Sequence, residues 1–317
     1  MPVKNSPPLS LMQVNYRYSA PTNYFHGGLV CLSMITNYGF CKSEIGWAVE
    51  ANTHLTSELL LKARLRLLKM HYESGVGHIG GNLSCLDMLM ALYHNVLGQH
   101  DRFVLSKGHS VGALYVTLWS LGLLNDDDLK TFHKDGTRLS GHPPVHGIPA
   151  IPFATGSLGH GLSLAAGLAL GKRLKGTKGR LFCLTSDGEW NEGSNWESLI
   201  FTRHHRLNLT LIVDLNGLQG FGRTRDIADL EPLADKFRAF RLPTIEVNGH
   251  DLDAVTAALL QAGDGPMAVV AKTRKGHGVS AIENLVESHY LPLSQESYQQ
   301  AVEQLINLCV TRSAALS

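Results

Sequence analysis

The chain has 317 residues, 44% of them hydrophobic and 17% charged, which allows one large α/β domain or two modest ones and excludes a disordered polymer. Lys and Arg total 28 against 27 Asp and Glu, a formal charge of +1, so electrostatics points to neither nucleic acid nor an anionic membrane as partner. No apolar run approaches the ~18 residues needed to span a bilayer. The five cysteines (Cys31, Cys41, Cys85, Cys183, Cys309) form no C-x-x-C pair and fit reduced, mostly buried thiols of a cytoplasmic protein.

Residues 1–43 contain no Asp or Glu, carry Lys4, Arg17 and Lys42, and lack amphipathic periodicity. This fits a poorly packed extension or a misassigned start codon better than an organellar transit segment, so residues 1–53 are set apart from a domain over 54–317. Leu61, Leu65, Leu68 and Tyr72 recur at helical spacing and predict a helix over 55–72, ending in the Gly-rich loop Gly75–Gly81. Ser84-Cys85-Leu86-Asp87 has the Ser-x-x-Asp form of a capping box and predicts a second helix from there to about Leu97. A short strand at 102–106 follows, then Lys107-Gly108-His109 and a third helix to about Leu121.

Residues 134–160 form a long Gly-, Pro- and His-rich loop, of a length that in compact domains is usually functional. Gly159–Gly171 reads as a small-residue helix made for close packing, with a subunit contact as one use. The remainder alternates strands (181–185, 209–213, 243–247, 267–273) with helices (194–206, 251–261) and closes on a polar helix near 295–308. Such alternation predicts an α/β fold, a largely parallel sheet with helices on both faces.

Asp187 follows the strand 181–185 and Asn216 follows the strand 209–213, with a helix between. In a β-α-β crossover both residues emerge at the same carboxyl edge of the sheet, where ligands bind in open α/β folds. A carboxylate and an amide oxygen are hard donors suited to Mg²⁺ (or Ca²⁺ or Mn²⁺), leaving positions for phosphate oxygens. The turn Gly188–Gly193 leads into a helix N-terminus, which favours an anion, and Gly188 leaves room for a phosphate. A lone Asp-Gly would be only a helix cap, but the pair, 29 positions apart (216 − 187), reads as a metal–diphosphate site.

The stretch 187–222 resembles the thiamine diphosphate motif, G-D-G followed about thirty residues later by Asn. With Glu192-Gly193, Glu197 and Asp214-Leu215-Asn216-Gly217-Leu218-Gln219 it is similar to the N-terminal subunit of split transketolases. Five further segments agree in order: Gly77–Gly81, Asp101–His109, Gly141-His142-Pro143, Thr155–Gly161, and Lys275–Ser280 with His289. The resemblance implies a thiamine-diphosphate-binding fold with Asp187, Asn216 and the Leu218 carbonyl on the metal. It further implies His109, Gly188, Glu189 and His289 at the diphosphate, and Gly156, Ser157 and Leu158 against the aminopyrimidine. His78 and His142 would face a sugar substrate, and all four histidines (His78, His109, His142, His289) would serve catalysis. Glu192 and Glu197 would be buried carboxylates near the contact between active sites, and His277 would replace a loop lysine.

The family pattern is broken at Ser186, Ser157, Pro144 and Tyr290, and the last two leave substrate specificity open. The family's catalytic glutamate lies in a second, pyrimidine-binding domain for which residues 54–317 leave no room. The resemblance therefore implies a C-terminal, pyrimidine-domain partner subunit, with an α₂β₂ assembly, and two-carbon ketol transfer between sugars or sugar phosphates. A 1-deoxyxylulose-phosphate synthase, the α subunit of a 2-oxo acid dehydrogenase or a degenerate regulatory subunit remain as alternatives. The Trp190–Trp196 region suggests surface made for contact, with burial inside the chain equally allowed by the sequence.

Overall fold

The computed structural model describes residues 55–315, with side chains to residue 307; the 1–53 extension lies outside them. Helix α1 (Ser57–Ser74) starts where the Thr56 side chain accepts a hydrogen bond from the Leu59 N–H and stops at left-handed Gly75. Helix α2 (Ile79–Ala91) begins five residues before the predicted cap. Ser84 is therefore helical and buried, and its hydroxyl turns to the Gly81 carbonyl and the Asp214 carboxylate. The capping box does not form because Asp87 is committed elsewhere: it pairs with Arg64 of α1 and accepts a 2.8 Å hydrogen bond from His250 Nδ1. A π-helical turn, Leu92–Val96, carries α2 to the predicted end near Leu97.

Strand β1 (Arg102–Leu105), helix α3 (Val111–Ser120), helix α4 (Gly161–Leu174), strand β2 (Leu181–Ser186), helix α5 (Gly193–His204) and strand β3 (Leu209–Leu215) follow. Apart from single helical turns such as Asp126–Leu129 and Thr224–Ile227, helix α6 (Leu233–Ala239), strand β4 (Thr244–Asn248), helix α7 (Leu252–Leu260), strand β5 (Met267–Lys272) and helix α8 (Gln295–Ala315) complete the order. The sheet is wholly parallel, β1-β2-β3-β5-β4, as expected. Helix α6 has no counterpart among the predicted elements; at two turns its apolar stripe of Leu233, Ala234 and Phe237 is too short for periodicity to register.

Strand alternation sends successive side chains to opposite faces. Phe182 and Leu184 of β2 pack with α1, α2, α3 and α7, while Leu181 and Cys183 pack with α4, α5 and α6. Both faces are covered, which is why these strands read as unbroken apolar runs. Trp190 is fully buried in the second layer, 4.5 Å from Phe237 and 5.0 Å from Trp196 between ring centroids. Trp190 is thus core rather than contact surface, since its indole N–H is satisfied internally by Thr185 at 3.2 Å. Ala165, Ala166 and Ala169 likewise use their small size within the chain, in the same layer.

His71 of α1 is 1% exposed, and burial holds its pKa down to about 4 against the opposing pull of the Val76 and Gly77 backbone. An unfolded histidine titrates near ~6.5, so between about 4 and ~6.5 the unfolded chain binds the extra proton. This contribution is complete above the unfolded value and is lost as pH falls toward the folded one. Thermal unfolding followed from about pH 7.5 to about 4.5 should therefore give a falling Tm, and His71→Gln should flatten the decline.

Candidate functional site

Ser186 of β2 pairs with Asp214 of β3, so the two strands end level and deliver Asp187 and Asn216 to one edge. Asp187 is 2% exposed; its Oδ2 accepts from the Gly217 N–H and the Thr224 hydroxyl, each at 2.8 Å, and Oδ1 from the Gly188 N–H at 2.9 Å. Burial pushes its pKa up to about 6, the Thr224 bond opposing and the nearby Asp214 charge adding to it. Asn216 Oδ1 accepts from the Leu218 N–H at 3.0 Å, which folds 216–218 into a tight turn. The Asp187 carboxylate, Asn216 amide oxygen and Leu218 carbonyl are hard oxygens carried by this same edge, and a buried carboxylate with a raised pKa is a group that a cation would stabilise.

Two lysines at this edge escape a reading by motif. Lys107 and Asp214 are both fully buried and ion-paired, and Asp214 also accepts from Ser84 and Thr273 hydroxyls. Lys107 donates in addition to the Gly81 carbonyl at 3.0 Å. Burial alone would drive Asp214 up; Lys107, together with the Ser84 and Thr273 hydroxyls, outweighs it and holds the carboxyl below its ordinary value. Lys275, 1% exposed, lies 3.3 Å from the Leu218 and Gln219 carbonyls and 2.9 Å from His289 Nδ1. Burial, then the Lys107 charge, lowers its pKa to about 8. His277, two residues on, instead stacks its ring on His250 at 3.5 Å. An acid alone in the apolar strand Leu209–Leu215 was the available signal that a buried cation must meet it.

The four singled-out histidines converge. Ring centroids of His78 lie 5.4 Å from His109, 6.4 Å from His142 and 5.1 Å from His289, with His109 and His289 5.3 Å apart. His78 sits in the left-handed region (φ 67°), and its N–H donates to the His289 carbonyl at 2.9 Å. That approach needs Gly77, where a Cβ would collide with the Tyr290 carbonyl. Gly156 (φ +139°) is required too, because a Cβ there would lie 2.7 Å from His142 Cδ2. All four rings have lowered pKa values, burial being the largest cause in each; for His289 the value falls to about 3.

Ser157 and Leu158 are exposed on the loop beside Gly156. Glu189 is not: it is fully buried, and its carboxylate accepts from Ser106, Gly159 and Ser186, tying three segments together with no exposed atom left for a ligand. Glu192 and Glu197, expected to be buried near a contact between active sites, are exposed among the described residues of this single chain. Asp87, His250 and His277 place ligand atoms within 4.8 Å of one another. His250 Nδ1 already binds Asp87, however, and its Nε2 accepts from the Arg274 N–H at 2.9 Å, so this cluster is a strut for the 273–285 loop.

Residues 60–306 match the family of the transketolase, thiamine diphosphate binding domain. The chain belongs to the transketolase family. A protein of Phocaeicola vulgatus, one subunit of its apulose-4-phosphate transketolase, is 36% identical over 257 residues, covering 77% of this chain and 91% of that one. A 6-deoxy-6-sulfo-D-fructose transketolase subunit from a Clostridium species is 36% identical over 73% of this chain and 89% of its own length. The solved transketolase of Campylobacter jejuni superimposes with a TM-score of 0.71 at 29% identity, over 79% of this chain but 43% of that one. The transketolase of Leishmania mexicana gives 0.72 at 26% identity, over 80% of this chain and 42% of its own. This transketolase-family chain therefore spans less than half the length of those solved enzymes, and it carries their thiamine-diphosphate-binding domain. Among its described residues no helix is long and apolar enough to cross a membrane.

Lys107→Met should leave Asp214 buried without its cation, at a cost of about 3–5 kcal/mol. Urea unfolding would register it as a lower midpoint. Adding Asp214→Asn should recover part of the loss; additive losses would show that the two side chains do not act together.

Proposed function

We propose that this chain is the diphosphate-binding subunit of a thiamine-diphosphate-dependent ketol transferase that works with a separate pyrimidine-domain subunit. The observation that carries the reading is the joining of two groups at one sheet edge: the oxygen donors Asp187, Asn216 and Leu218, and the cluster His78, His109, His142 and His289. Lys275 touches both groups. Bound thiamine diphosphate supplies the carbon nucleophile and the electron sink for C–C cleavage. The work left to this chain is to bind, orient and move protons.

Asp187, Asn216 and the Leu218 carbonyl would hold Mg²⁺, and Gly188, His109 and His289 would border the diphosphate. Gly156, Ser157 and Leu158 would lie along the aminopyrimidine. His78 and His142 face the ketose and aldehyde, whose hydroxyls exchange protons during cleavage and transfer. Depressed pKa values keep these rings neutral at pH 7, so each presents one donor and one acceptor nitrogen. The Phocaeicola and Clostridium relatives are by name single subunits of larger assemblies, which supports a partner here; an α₂β₂ arrangement follows the symmetry usual for such enzymes. The exposed Glu192 and Glu197, with Ile200 52% and Phe201 38% exposed on the same helix, suit a face covered in the assembly.

Asp187→Ala in the assembled complex should abolish metal-dependent cofactor binding, because a hard ligand and its charge are removed together. Calorimetric titration decides it, and wild-type cofactor affinity in the variant would refute the metal assignment. His142→Ala should leave cofactor affinity and Tm nearly unchanged while lowering kcat/KM by ~10²-fold or more. A matching fall in Tm would instead mean that His142 supports the fold.

A further inference from the structure

The ammonium of Lys275 has three N–H donors and no acceptor. Three acceptors surround it: the Leu218 carbonyl at 3.3 Å, the Gln219 carbonyl at 3.3 Å and His289 Nδ1 at 2.9 Å. Donors and acceptors match one to one, and the side chain is 1% exposed, leaving it no access to bulk water. An imidazole nitrogen that accepts from an ammonium cannot itself carry a proton. The proton of neutral His289 must then sit on Nε2; the ring itself lies 5.1 and 5.3 Å, centroid to centroid, from His78 and His109.

We infer that Lys275 is a positioning residue that fixes His289 in the Nε2–H tautomer, so that this ring presents a hydrogen-bond donor to the ligand in the cleft. The inference rests on the proposed function only for what the donor meets; the tautomer belongs to the chain alone.

The same lysine clamps the 218–219 carbonyls, so the turn bearing Leu218 and the segment bearing His289 are held at one fixed spacing. The lysine is held in turn from its own loop. The Arg274 N–H donates to His250 Nε2, His250 Nδ1 donates to Asp87, and Asp87 is ion-paired with Arg64. The Asn284 N–H donates to the Lys275 carbonyl at 2.8 Å, and the Gly276 N–H to the Gly80 carbonyl at 2.9 Å. The backbone around Lys275 is therefore anchored independently of its ammonium, so replacing the side chain by one of similar shape leaves the loop in place. Burial and the positive charges of Lys275 and Lys107 also lower the His289 pKa, which keeps the ring neutral and the tautomer the quantity that matters. A tautomer error in a catalytic imidazole can cost up to ~10⁴ in rate, which makes the setting worth a buried lysine.

The test is ¹⁵N NMR of the full chain labelled at histidine, with the His289 signals assigned by their loss in His289→Asn. Wild type should show a pyridine-type Nδ1 and a pyrrole-type Nε2. Lys275→Met, similar in shape but without a donor, should shift His289 toward the other tautomer, and Lys275→Gln, which keeps an N–H donor, should restore the wild-type pattern. An Nδ1–H signal in the wild type, or an unchanged tautomer in Lys275→Met, overturns the inference. Should Lys275→Met fail to fold, the wild-type spectrum and Lys275→Gln still decide it. With a pyrimidine-domain partner, kcat/KM should fall ~10²-fold in Lys275→Met and recover in Lys275→Gln. Absence of ketol transfer in the wild-type complex would count against the proposed function and leave the tautomer result standing.

Discussion

The buried ion pair of Lys107 and Asp214 is the interaction on which the site's geometry depends. Lys107 follows β1, Asp214 lies in β3, Thr273 follows β5 and Ser84 belongs to α2, and all meet on one carboxylate. Two opposite charges taken wholly out of water are tolerated only when geometry and additional hydrogen bonds satisfy both partners. That demand fixes the ends of three strands relative to the first helical layer. Asp187 and Asn216 flank this point, so their spacing is inherited from it.

Around that anchor the chain concentrates polar groups that would be unstable singly. Asp187 is buried without an ion pair and relies on the Gly188 and Gly217 amides and the Thr224 hydroxyl. Four imidazoles crowd together; burial is the largest cause of their lowered pKa values, neighbouring histidines add to it, and Lys107 or Lys275 adds further at His78, His109 and His289. The result is a cluster of neutral rings beside a buried carboxylate, an arrangement that holds an anionic ligand while keeping neutral proton donors and acceptors at hand. Perturbed ionisation gathered in one place is characteristic of functional sites.

Glycine and the left-handed backbone supply the close approaches that the cluster needs. The 285–291 segment lies on the Gly77–Gly81 stretch that leads into α2, where Gly80 leaves room for the Ser288 side chain as Gly77 does for the Tyr290 backbone. Tyr290, 53% exposed, lies against Gly220 and 4.5 Å from His289 between centroids, adding an aromatic wall that the family pattern does not provide. On the opposite layer, Glu189 joins the ends of β1 and β2 to the loop before α4, so the Gly156–Leu158 loop is tied to the same framework.

The sequence by itself determined the α/β class, the order of the parallel strands' connections and the placement of Asp187 and Asn216 at one edge. These follow from local rules: apolar runs of strand length, helical spacing between them, and the geometry of a β-α-β crossover. His78, His109 and His142 were legible because each adjoins glycine in short segments of a familiar order, and His289 because it follows the last of those segments. Tertiary structure decided what the other polar residues do. Ser84 and Asp87 form a capping pattern in sequence, yet a buried arginine and a buried lysine–aspartate pair claim them. Glu189 reads as a ligand contact and proves a strut, Trp190 fits surface or core by sequence and is core, and it is Lys275, not its neighbour His277, that reaches the site. A side chain's task depends on which partners from distant segments complete its hydrogen bonds once water is excluded, and those partners, 107 residues apart for Lys107 and Asp214, are set by packing rather than by spacing.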